Sequence, residues 1–144
     1  MKNPNERLAL LDRAFPALLG VVATLEADGH PHAIPVWYRY EGSPDLGRVY
    51  IWTQATRHWV RNIARDPRVS FSVQEERPPF AAVTMRGRVT IHTSDADEVS
   101  EEIRRITRRY IEGPRVEAYI QNWLHLRTIV TLTPETMAAW GVGY

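Results

Sequence analysis

No cysteine occurs among the 144 residues. That one absence removes disulfide frameworks, thiolate nucleophiles, thiolate zinc sites and cysteine-held iron–sulfur clusters. A surplus of either charge is missing too. The formal net charge is +1, too small to hold nucleic acid by bulk electrostatics, so no nucleic-acid partner is expected. Long hydrophobic runs are absent: the apolar stretch from 8 to 25 is broken by Asp12, Arg13, Pro16 and Gly20. A spanning helix needs about 20 mainly apolar residues, and the start, Met1-Lys2-Asn3-Pro4-Asn5-Glu6-Arg7, does not lead into a signal-peptide core. The expectation is no membrane partner and a cytoplasmic location. The histidines at 30, 32, 58, 92 and 125 show no His-Glu-x-x-His spacing, and no metal is expected. A Gly-x-Ser-x-Gly elbow and a Walker loop are also lacking.

What is present describes one ordinary globular domain over residues 1–144. Hydrophobic residues make up 44% and charged residues 24%, and a chain of this size buries roughly 68% of its unfolded surface without a staple. Periodicity predicts a helix over residues 5–15, with Leu8, Leu11 and Phe15 on one face, ended by Pro16. Residues 18–27 and 31–40 read as a hairpin around the two-residue signal Asp28-Gly29. In the return strand Ile34, Val36, Tyr38 and Tyr40 share one face, and Ala33, Pro35, Trp37 and Arg39 the other. A loop over 41–47 leads to a third strand at 48–53, a helix at 56–65 and a fourth strand at 68–74. The fifth strand spans 80–93, where Gly87 suggests a bulge or a close backbone approach. Ser94-Asp95-Ala96-Asp97 fits a capping box before a helix with Val99, Ile103, Ile106 and Tyr110 as its apolar stripe. A short helix over 116–124, a last strand over 127–133 and a tail over 134–144 complete the chain. The predicted fold class is mainly β (α+β): a six-stranded antiparallel barrel with peripheral helices, with an open α+β sheet as the alternative.

Three stretches could carry function. Around the start of the 56–65 helix stand Thr53, Arg57, His58, Arg61, Asn62 and Arg65. The three arginines recur every four residues, beside free backbone N–H groups and the positive end of a helix dipole. Spacing alone leaves an anion site and a solvated basic face both open. Pro35 breaks a ladder where backbone could meet a ligand, and Trp37 and Trp52 could wall a flat ring or serve as core or interface aromatics. The basic run 104–109 reads as a solvated face paired with Glu101 and Glu102. No pair of carboxylates singles out an acid and a base; His32 and Tyr38 are the only weak candidates. An enzyme of this sequence must take its chemistry from a bound cofactor.

The order of these motifs resembles the pyridoxamine 5′-phosphate oxidase-like flavoproteins. The likeness rests on Gly20-Val21-Val22-Ala23-Thr24-Leu25 with the hairpin through Tyr38, on Val49-Tyr50-Ile51-Trp52-Thr53 with Val60-Arg61-Asn62-Ile63 and Asp66-Pro67-Arg68-Val69, and on Val83-Thr84-Met85-Arg86-Gly87-Arg88-Val89. The resemblance implies an FMN-binding split barrel acting as an oxidoreductase on a small planar substrate. Members using coenzyme F420 or binding haem provide alternative cofactors, and a non-catalytic carrier is the alternative function. It implies a homodimer with cofactor sites at the interface, and a cleft shaped by Trp37, Trp52 and the partner's Trp140. Pro35, Val36 and Trp37 would lie along the ring, and Thr53, Arg57, Arg61 and Asn62 near the phosphate. One position departs from the pattern: the family's usual lysine before Val-Arg-Asn is Trp59 here, which puts Arg57 or His58 in the cation's place.

Overall fold

A computed structural model describes residues 4–123 and 125–141. After helix α1 (Pro4–Leu11) come strands β1 (Gly20–Leu25), β2 (Pro31–Val36), β3 (Tyr38–Glu41) and β4 (Arg48–Thr53). Helix α2 (His58–Arg65) leads to β5 (Arg68–Gln74) and β6 (Ala82–Thr93). Helix α3 (Asp97–Thr107), a 3-10 turn (Gly113–Arg115), helix α4 (Val116–Trp123) and β7 (Thr128–Trp140) follow. All strands join one antiparallel sheet in the order β2-β1-β5-β6-β7-β4-β3.

The two edges of this sheet, β2 and β3, are consecutive in the chain with Trp37 alone between them. One residue spans at most about 3.6 Å, so the sheet must curl until its edges meet. A barrel with a seam at Trp37 results. Among the described residues the strand count is seven, not six. The 31–40 strand splits because β2 pairs with β1 while β3 pairs with β4. Alternation runs unbroken through the switch, with Val36, Tyr38 and Tyr40 all buried, so the sequence shows no sign of it.

Other boundaries moved for local reasons. The hairpin loop has three residues, not two: the Glu26 backbone N–H donates to the His30 carbonyl and Gly29 takes φ 86, the turn-plus-left-handed-residue geometry of three-residue hairpins. Helix α1 stops at Leu11, leaving Phe15 half exposed instead of on an apolar face. The expected capping box is not formed. Ala96 is the N-cap of α3 and Ser94 Oγ instead accepts from the Ala96 N–H at 3.0 Å, so Asp97 and Glu98 support the helix through its dipole. The expected tail is largely strand: β7 runs on to Trp140 past Pro134. The register slips there against Arg86/Gly87, and a bulge is where a strand tolerates a proline. A Cβ on Gly87 would lie 2.1 Å from the Thr133 carbonyl oxygen, the close approach anticipated for it. Leu124 and the last three residues fall outside the described residues.

The barrel interior is packed by Val22, Tyr38, Ile51, Phe71, Met85 and Leu132, each at most 2% exposed. Gly20 admits Phe71, whose ring atoms would come within 2.3 Å of a Cβ. A second cluster joins α3 to α4 and the outside of the sheet through Val99, Ile103, Ile106, Val116, Ile120 and Ile129. Arg104 pairs with Glu101 at 3.2 Å and with Glu117 at 3.0 Å. Glu102, by contrast, is buried and binds Arg39 through both oxygens at 2.7 Å, which docks α3 on β3. No described helix is long and apolar enough to cross a membrane.

Candidate functional site

A cleft of about 640 Å³ lies outside the barrel, along β2, the seam residue Trp37 and the end of β4, closed at one side by the start of α2 and at the other by α4. Strand alternation explains what it receives. Val36 and Tyr38 turn inward, so Pro35 and Trp37 turn outward. Trp52 and Thr53 end β4 at the same side.

The cleft has two unlike ends. At the aromatic end Trp37 stacks on Tyr110, with ring centroids 5.0 Å apart and planes 10° from parallel, and meets Tyr119 at 5.3 Å. Tyr119 meets Trp52 edge-on at 6.3 Å. These rings are anchored. Tyr110 Oη donates to the Leu18 carbonyl at 2.8 Å, and Trp52 Nε1 donates to the Leu126 carbonyl. Burial raises the pKa of both Tyr110 and Tyr119, so neither phenol ionises near neutral pH.

The basic end is built by the turn into α2. Arg57 is the extended N-cap of that helix, with no side-chain cap bond, and His58 is its first residue. Both line the cleft beside Thr53 and Gln54. Trp59 is 4% exposed; its ring closes the floor and supplies no charge. His58 Nε2 lies 2.7 Å from Glu26, and this bond is the main reason the Glu26 carboxyl sits below its usual range.

Of the residues singled out in the sequence, Pro35, Val36, Trp37, Trp52, Thr53, Arg57 and His58 meet in this cleft. Arg61 and Asn62 do not line it. Arg61 is exposed one turn further along α2. Asn62 is buried; its amide donates to Thr24 Oγ1 at 3.1 Å and its oxygen accepts from Arg65 at 3.1 Å, fastening α2 to β1. Arg65 also donates to the Leu25 carbonyl at 2.8 Å, so the arginine row divides by role. His32 lines the cleft, whereas Tyr38 is fully buried and its hydroxyl donates to the Leu11 carbonyl at 2.9 Å. That takes Tyr38 out of acid–base chemistry in the cleft. Sequence reasoning missed Tyr119 and Trp123, which α4 brings to the opposite wall. Their spacing of four places both on one helix face, a signal that was available.

The class defined by these features is an antiparallel barrel with an external cleft, aromatic at one end and basic at the other. A profile of the pyridoxamine 5′-phosphate oxidase family matches residues 13–141, and the chain belongs to that family. Among solved structures, an F420 reductase is 26% identical with a TM-score of 0.67, over 91% of this chain and 94% of that one. The conserved hypothetical protein Rv2991 from Mycobacterium tuberculosis is 19% identical with a TM-score of 0.73, over 98% of this chain and 84% of that one. General stress protein 26 from Bacillus anthracis is 14% identical with a TM-score of 0.67, over 96% and 94%; the last two show the fold alone. Comparison with curated proteins returns no match.

Proposed function

We propose that the chain is a flavin- or deazaflavin-dependent oxidoreductase that takes FMN, or alternatively coenzyme F420, and passes a hydride to or from a small planar substrate. Haem is the third cofactor to test. The observation that carries this reading is the meeting of a ring wall and a basic end in one cleft, in a chain of this family. The similarity to an F420 reductase supports the deazaflavin alternative.

The residues fit such a group. The cleft volume, about 640 Å³, lies within the roughly 300–1,000 Å³ of ligand pockets. Pro35, Val36, Trp37 and Trp52 offer a flat wall, and Thr53, Arg57 and His58 offer donors to a phosphate. When bound, the cofactor supplies the hydride chemistry that no cleft side chain possesses. The chain's residues bind, orient and exclude water. Trp37 and Trp52 are fixed by Tyr110, Tyr119 and the Leu126 carbonyl, and rings already held lose little freedom on binding.

The working unit in this reading is a homodimer. Phe15, Leu19, Val21, Phe80 and Trp140 are large apolar side chains left exposed, and Leu19 also lines the cleft. In this reading a second copy packs on these side chains and completes the site. Sedimentation should give twice the chain mass.

The test is an absorbance titration of purified protein with FMN, F420 and haemin in turn, followed by turnover with the reduced cofactor. Tight binding of a flavin or deazaflavin with turnover supports the reading; binding of none of the three overturns it. A second reading, a non-catalytic carrier, is favoured by Trp59, a buried ring where the family often keeps a lysine. Binding without turnover would select it.

A further inference from the structure

At the rim of the cleft stand three side chains whose grouping the sequence does not show. Glu26 follows β1, His32 lies in β2 and His58 opens α2. His58 Nε2 is 2.8 and 2.7 Å from the two Glu26 oxygens. His32 Nδ1 is 3.5 Å from Glu26 Oε1. The two imidazoles meet edge-on, with centroids 5.2 Å apart and planes at 80°. Two rings thus share one carboxylate. The other nitrogen of each ring has no hydrogen-bond partner among the described residues, and both rings line the cleft beside Arg57.

The charge of this group depends on protons. With both rings protonated the cluster carries +1; with both neutral it carries −1. Histidine is the side chain that changes charge between about pH 5 and 8. The neighbouring groups keep theirs. Arg57, Arg61 and Arg65 on α2 bring positive charge, and Asp28, at the hairpin turn, brings negative charge. Tyr119 from α4 stays neutral, its pKa raised by burial. The end of β4 brings only Trp52 and Thr53. His30, in the same turn as Asp28, is the remaining titratable neighbour; its backbone N–H is bonded to Asp28 at 3.0 Å.

We propose that Glu26, His32 and His58 form a proton-gated anion site at the basic end of the cleft. The protonated rings attract a phosphate-type dianion, and Glu26 repels it once they are neutral. Arg57 sets a constant background; the imidazoles set the slope with pH. Glu26 is then a specificity-determining residue, since once the imidazoles are neutral its charge is no longer offset and opposes the attraction of Arg57. The proposal rests on the reading of this end as the phosphate end and specifies what controls it.

The probe is sulfate, which stays a dianion across the range, titrated into the whole protein while the backbone amide signals of Arg57, His58 and Trp59 are followed by NMR. Sulfate should bind at least about tenfold more tightly at about pH 5.5 than at about pH 8. Glu26→Gln should tighten sulfate several-fold at the higher pH, because it deletes the repelling charge. His32→Gln with His58→Gln should flatten the pH ratio to below about twofold. All three substitutions alter rim side chains outside the barrel core. Equal affinity at both pH values, or no effect of Glu26→Gln at the higher one, overturns the gate. FMN and riboflavin form a second arm at the lower pH, where the phosphate-bearing FMN should bind more tightly than riboflavin. If FMN, F420 and haemin all fail to bind while the sulfate ratio holds, the cofactor reading fails and the gate stands. If flavins bind without any pH-dependent sulfate ratio, the gate fails and the cofactor reading stands.

Discussion

Trp37 and Tyr38 are neighbours in sequence and opposites in the fold. Tyr38 points into the barrel, fully buried against Phe71 at 5.2 Å, with its hydroxyl donated to the Leu11 carbonyl. Trp37 points outward to Tyr110 and Tyr119 and lines the cleft. The same kind of side chain therefore packs the core on one side of the seam and walls the cleft on the other. Interior rings have every polar atom satisfied and no face to offer. Cleft rings are anchored at their edges and keep contact surface in reserve. The two populations should separate cleanly under mutation.

The largest effect belongs to the interior. Phe71→Ala should cost about 3–5 kcal/mol in chemical denaturation, because the pocket beside Gly20 is shaped to that ring. A cost below that of an exposed residue would break the comparison. On the cleft side, Arg57→Ala should weaken FMN by about 1–3 kcal/mol, the range for hydrogen bonds to charged groups, while stability stays within about 0.5 kcal/mol. Calorimetry with FMN and riboflavin checks it, since only the phosphate-bearing ligand should respond. Trp123→Ala sharpens the comparison further. This ring is 44% exposed at the far wall, and its loss should lower ligand affinity by about 0.5–1.5 kcal/mol with little change in thermal stability.

The smallest effect lies away from both populations. The Arg68 guanidinium lowers the Asp66 carboxyl from 3.8 to about 2. A carboxylate depressed in the fold stabilises it above the ordinary value, and that contribution disappears as pH falls through the folded one. Wild type and Asp66→Asn should therefore differ slightly at neutral pH and converge between 3.8 and about 2. An acid-denaturation series measures this.

Much of the fold was legible because burial follows period. Val69, Phe71 and Val73 alternate with Ser70, Ser72 and Gln74, and β5 buries the first set. Val99, Ile103 and Ile106 recur at helical spacing and are buried in α3. The seam at Trp37 was not legible, since a strand that changes partners keeps its alternation. The run of β7 past Pro134 was hidden too, because only the facing bulge at Gly87 makes that proline tolerable. In the site, the β2, β4 and α2 residues cluster in short, recognisable stretches. Asn62 shares the α2 stretch yet faces β1, and no spacing rule could separate it from Arg57 before the helix was docked.

The sequence by itself determined the absence of cysteine chemistry and an antiparallel strand-rich fold, because composition and local period carry that information, while the order of its motifs carried the resemblance to the family. Tertiary structure decided where the barrel closes, which arginine of the row reaches the cleft, and that Glu26, His32 and His58 stand together. These are contacts between segments from 32 to 74 positions apart in the chain, set by how the strands curl and where α2 and α4 dock, and no local pattern encodes them.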